Sequence, residues 1–161
     1  MMKSACEGAL SLTGADGAAV ELLDGAAIVC GGAAGLATPH LGLRLEASET
    51  LTGECFRTRR TIICGDSETD TRAHRAACRL VGARALILVP ILHGGEMNGV
   101  LLVYSSTAHD FRGNEASLLV LLANTSTGIA VWDGDESATA LLARADADMY
   151  TRKRFAGTAA R

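Results

Sequence analysis

The chain contains no long block of one charge, no apolar run of membrane-spanning length and very few aromatic side chains. Each absence removes a class of function. Fifteen Lys and Arg stand against eighteen Asp and Glu, a net charge of −3. That balance argues against non-specific nucleic-acid binding, which needs a basic face. No stretch reaches the roughly 18 consecutive apolar residues of a membrane helix. The first ten residues, MMKSACEGAL, lack the apolar core and cleavage pattern of a signal peptide, so a cytoplasmic location is expected. There are five cysteines, an odd number, with no Cys-x-x-Cys pair. This excludes the usual disulfide framework and the usual zinc site; reduced thiols and no metal are expected. The four histidines, His40, His74, His93 and His109, show no metal-ligand spacing, and each is expected to be solvated. What remains is an Ala-, Gly- and Leu-built chain of 161 residues, 48% hydrophobic and 4% aromatic, long enough for one domain with a substantial core.

The most informative stretch runs from Arg84 to Ser105. Two apolar runs, Ala85–Leu92 and Val100–Tyr104, flank His93-Gly94-Gly95-Glu96. Gly-Gly can take the positive φ angles of a tight hairpin turn. The runs are rich in Val, Ile and Leu and apolar at nearly every position, as strands covered on both faces are. Pro90 has no N–H and is expected at a bulge or away from the ladder. This hairpin is expected at the centre of an antiparallel sheet.

Around it the chain predicts a helix over Lys3–Leu12, a strand over Ala18–Leu23, a turn at Asp24-Gly25 and a returning strand over Ala26–Cys30. Gly31–Leu43 is predicted as loop. Thr50–Arg59 is a short helix with Leu51, Cys55 and Phe56 inward. Thr61–Cys64 is a short strand and Gly65–Thr71 a polar loop. Arg72–Val81 is a helix with Ala73, Ala76, Ala77 and Leu80 inward, capped by Asp70 or Thr71 and ended by Gly82. Phe111 is expected to plug the core. A long helix from Asn114 carries Leu118, Leu121, Leu122, Thr125, Ile129 and Trp132 at spacings of three and four. Another helix follows from about Glu136 to Phe155. The order gives an α+β fold, a central antiparallel sheet of five or six strands with helices on both faces. A cavity between the sheet and the short helices is the natural ligand site.

Four stretches carry a family resemblance: Leu51-Thr52-Gly53-Glu54-Cys55; Thr61–Cys64 with Asp66 and Asp70-Thr71-Arg72; Gly82-Ala83-Arg84 through Val89-Pro90-Ile91; and Gly99–Val103. With Phe111, Glu115 and Leu118 after them, residues 1–131 resemble a GAF domain, the PAS-like small-molecule sensing module of signalling proteins. The tail, 132–161, resembles the last helix of a GGDEF diguanylate cyclase domain through Leu141–Arg154. The GGDEF motif and its acidic metal ligands are missing, so the tail reads as a remnant without cyclase chemistry.

The resemblance implies a non-catalytic sensory domain that binds a small molecule and signals as a homodimer through its terminal helices. Its ligand-binding candidates are Cys55, Cys64, Asp66, Asp70, Cys78, Leu86, Leu102 and Tyr104. One enzyme of this fold, free methionine-(R)-sulfoxide reductase, resembles the chain at Cys55 and Cys78, which makes a thiol reductase the catalytic alternative. The chain departs from that enzyme at Leu43-Arg44-Leu45, where a further cysteine is expected, and at Leu86, Leu102 and Tyr104, which replace its acidic residues. No cysteine is followed by His, so no bilin is expected. Phe111 and Glu115 fit only loosely the signature of cyclic-nucleotide-binding GAF domains. A third reading is an interaction scaffold whose pocket is filled by its own side chains.

Overall fold

The computed structural model describes residues 2–111 and 113–125. The chain runs α1 (Met2–Thr13), β1 (Gly17–Asp24), β2 (Ala27–Gly35), β3 (Arg44–Glu46), α2 (Leu51–Thr58), β4 (Ile62–Cys64), α3 (Arg75–Val81), β5 (Ala85–His93), β6 (Glu96–Ser105) and α4 (Gly113–Thr125). The six strands form one antiparallel sheet in the order β3-β2-β1-β6-β5-β4. The fold class is thus the α+β arrangement expected, with six strands.

The β5–β6 hairpin turns on Gly94 and Gly95, at φ +58° and +83°, angles that strain any residue with a Cβ. Its strands are buried on both faces. Ile87, Val89, Leu101 and Val103 face a core that also holds Met2, Cys6 and Ala9 of α1 and Ala116, Leu119 and Ala123 of α4. Leu86, Leu88, Leu102 and Tyr104 face a second core with Leu51 and Cys55 of α2 and Cys78 of α3. One helix pair covers each face. Pro90 lies beyond Leu88, the last β5 residue paired with β4, so its missing N–H falls on a free stretch of strand edge. Phe111 is buried against the α1/α4 side.

Four local expectations are corrected. β2 does not stop at Cys30; it continues through Gly31–Gly35, paired with β1 as far as Gly17. Glycines suit this strand because α1 lies directly on it: a Cβ on Gly32 would stand 2.5 Å from Met2 Cβ. α3 begins at Arg75, not Arg72, and its N-cap is His74 with no side-chain cap bond. Asp70 is not the cap because its carboxylate accepts from the Arg72 backbone and guanidinium instead. Cys78 is the buried residue of that helix, while Ala76 is exposed and Leu80 is 57% exposed. On α4 the inward face is Ala116, Leu119 and Ala123, and Leu118 is exposed. Six of its thirteen residues are Leu, Val or Ala next to one another, so spacing alone cannot choose the buried stripe. The expected stripe beyond Thr125 and the tail helices lie outside the described residues.

Candidate functional site

Between the sheet and the α2/α3 layer lies a small, partly open cavity of about 60 Å³. Its floor is the alternate face of β1, β5 and β6. Period-two alternation puts Ala18, Val20 and Leu22 of β1 into the α1/α4 core and leaves Ala19 and Glu21 on the cavity side. Leu86, Leu88, Leu102 and Tyr104 complete the floor, and Leu51, Thr52 and Cys78 come from the helices above. His40 and His74 also line it.

Of the sequence candidates, the cavity brings together Cys78, Leu86, Leu102 and Tyr104. Cys55, Cys64, Asp66 and Asp70 do not line it. Cys55 is buried under α2 with its thiol donating to the Arg60 carbonyl at 3.3 Å. Cys64 is buried at the end of β4. Asp66 and Asp70 are tied to arginines: Arg84 grips both carboxylate oxygens of Asp66, one at 3.0 Å, and Arg72 grips Asp70 at 2.6 and 3.0 Å. These partners hold both carboxyls well below the usual range, at about 2. Arg72 also donates to the Ile63 carbonyl at 2.8 Å, and Ser67 closes the same loop by donating to Ala83 O at 3.1 Å. The loop is a brace for β4 and β5.

All five cysteines are free and buried. Burial pushes Cys6, Cys30, Cys55 and Cys64 up to about 12 and raises Cys78. They are thiols rather than thiolates at neutral pH, and a thiol is a poor nucleophile.

Two polar groups in the cavity were not candidates from the sequence or were candidates for another reason. Glu21 receives a hydrogen bond from the Thr52 hydroxyl, and its desolvation in the cavity wall pushes its carboxyl up to about 7. The signal was present: an acid between Val20 and Leu22, in a strand apolar on both sides, has nowhere to go but into the protein. Tyr104 is 2% exposed and its hydroxyl has no hydrogen-bond partner among the described residues. Its ring lies across Gly17, whose missing Cβ leaves the space; a Cβ there would stand 2.7 Å from Tyr104 Oη. A buried hydroxyl without a partner costs about 1–3 kcal/mol. Tyr104→Phe is therefore expected to raise the stability of the ligand-free protein by about 1 kcal/mol, read from the denaturant midpoint; a fall would show that the hydroxyl is satisfied.

The family model for the GAF domain matches residues 1–129. The chain belongs to the GAF domain family. Solved structures agree in fold. A GAF domain from an Acinetobacter phosphoenolpyruvate-protein phosphotransferase superposes with a TM-score of 0.67 at 19% identity, covering 91% of this chain and 82% of that one. Type II free methionine-R-sulfoxide reductase from Thermoplasma acidophilum gives 0.65 at 18%, covering 76% and 84%. The blue-light-absorbing form of the Thermosynechococcus elongatus PixJ GAF domain gives 0.65 at 15%, covering 97% and 89%. These identities establish a shared fold and leave activity open. A search of curated protein sequences finds no match. The GAF fold of this chain is a sensory and ligand-binding family fold, and among its described residues no helix is long and apolar enough to cross a membrane.

Proposed function

We propose that this GAF domain is a non-catalytic, cytoplasmic sensing module that holds a small molecule in the cavity between the sheet and the α2/α3 layer. One observation carries the reading. The cavity is apolar over Ala19, Leu86, Leu88 and Leu102, yet it presents a single carboxylate, Glu21, beside the Thr52 hydroxyl. An apolar wall with a few placed polar groups is how small-molecule sites are built. Output would pass through a homodimer in which a second copy extends the pair formed by α1 and α4 on the opposite face; the tail, by its resemblance, is a remnant of a GGDEF domain end.

Native mass spectrometry of the protein purified from its own host, beside a denatured control, tests this reading. A native-only excess of a few hundred daltons is expected. Bare masses, together with no small-molecule fragment shifting the Leu86 and Leu102 methyl signals, would overturn it.

Cys78 lines the cavity, which keeps a thiol reductase of methionine sulfoxide as the second reading. The protonated state of Cys78 and the placement of Cys55 outside the cavity weigh against it. Thioredoxin-coupled NADPH consumption on free methionine-(R)-sulfoxide, abolished by Cys78→Ser, would favour it instead.

A further inference from the structure

We propose that the cavity takes a hydrophobic organic amine, its ammonium group seated on Glu21 beside Thr52 and its apolar body lying over Ala19 and Leu102 towards the Tyr104 ring. This rests on the reading of the cavity as a ligand site and names the ligand's class.

The sign of the charge comes first. Glu21 is the one Asp or Glu lining the cavity, and no Lys or Arg lines it. A carboxylate or phosphate ligand would lie beside a like charge with no Lys or Arg to pair it, which is costly out of water. His40 and His74 also line the cavity. Cys30, the strand partner of Glu21 on β2, and Cys78 on α3 are protonated thiols.

Hydrogen-bond capacity comes second. A carboxylate has about four acceptor sites. Among the described residues Thr52 supplies the one side-chain donor to Glu21. An ammonium group brings three donors on a compact centre, and so completes what Thr52 leaves open. The raised proton affinity of Glu21 is what a half-buried, desolvated carboxylate without a cation shows.

Length comes third. Gly17 pairs with Tyr104 and Glu21 with Val100 across β1 and β6. The two polar residues are thus four positions apart along the ladder, about 13 Å between backbones at ~3.3 Å per residue. The floor between them is Ala19 and Leu102, paired with each other and both buried. After the side chains reach inward, that span suits one aromatic ring with a short arm.

Three matched probes test this on the full chain at pH 8: 2-(4-methoxyphenyl)ethylamine, 2-(4-methoxyphenyl)ethanol and 4-methoxyphenylacetate, titrated calorimetrically and followed at the Leu86 and Leu102 methyls. The amine is expected to bind at least tenfold tighter than the alcohol, and the carboxylate least. Glu21→Gln, which keeps the Thr52 hydrogen bond, is expected to erase the preference for amine while leaving alcohol binding in place. Alcohol binding as tight as amine, or an amine preference that survives Glu21→Gln, would overturn the inference and leave the ligand site standing. No response at the cavity methyls to any probe would also overturn it, and the absence of a host-derived ligand by native mass spectrometry would then remove the ligand site as well.

Discussion

Replacing Gly53 by Ala is expected to cost about 3 kcal/mol, and by Val more, a fall in melting temperature of about 10 °C for a domain of this size. Gly53 lies in the first turn of α2. A Cβ there would run into the Ala47 carbonyl, with Ala47 Cα 3.1 Å away. Ala47 cannot give way, because its backbone is fixed from three directions. Its N–H donates to Ala26 O at 2.8 Å. Its carbonyl accepts from Thr50 N and from Thr50 Oγ1, both at 3.2 Å. Thr50 is in turn the N-cap of α2, its hydroxyl accepting from Gly53 N at 3.0 Å. The turn before α2 and the helix start are therefore one knot, and glycine is the residue that lets it close. A side chain would lever α2 off the sheet, taking buried Leu51 and Cys55 with it and drawing Thr52 from Glu21. Gly8→Ala in α1 is the control. Its Cβ would meet Leu122 Cδ2 at 3.6 Å, an ordinary contact, and helix propensity predicts a gain of about 1 kcal/mol. Equal small effects from the two substitutions in a urea titration would contradict this account.

The same knot shows which parts of the protein its sequence displays. Thr50-Leu51-Thr52-Gly53 announces a helix start, and the helix begins where the threonine says it should. The central hairpin is legible for a similar reason: two Val/Ile/Leu runs and a Gly-Gly turn leave one register that buries both faces. Where local signals compete, the sequence misleads. Gly31-Gly32-Ala33-Ala34 has the composition of a loop, yet it is strand because α1 needs a surface without side chains to lie on. Asp66 and Asp70 have the spacing of polar ligand groups, but Arg84 and Arg72 consume them, and no local pattern reveals partners fixed by tertiary structure. Tyr104 and Leu102 were legible as cavity residues through the family resemblance, since their strand and face follow from it. Glu21 is not legible in this way, because a lone acid embedded in an apolar strand matches no site pattern.

That acid gives the largest expected pH effect. The Glu21 carboxyl rises from an ordinary 4.5 to about 7 on folding, with desolvation the dominant cause. Between those values the folded protein holds a proton that the unfolded chain has released. Stability therefore falls as pH rises from about 4.5 through about 7, and levels off above. At about 1.4 kcal/mol per unit, the full change is on the order of 3–4 kcal/mol. Glu21→Gln keeps an acceptor for Thr52 and has no proton to lose. It is expected to match the parent near pH 5 and to exceed it at pH 8 by about that amount, a melting temperature higher by several degrees. The groups facing Glu21 do not blur this comparison. Cys30 and Tyr104 are pushed up to about 12 and Cys78 is raised, all above the window. His40 and His74 line the same cavity and are common to both proteins. Parallel melting curves for parent and variant from pH 5 to 8 would show that the Glu21 carboxyl is hydrated. The tenfold amine preference would then lose its physical basis, because a hydrated carboxylate already has the donors that the ammonium would bring.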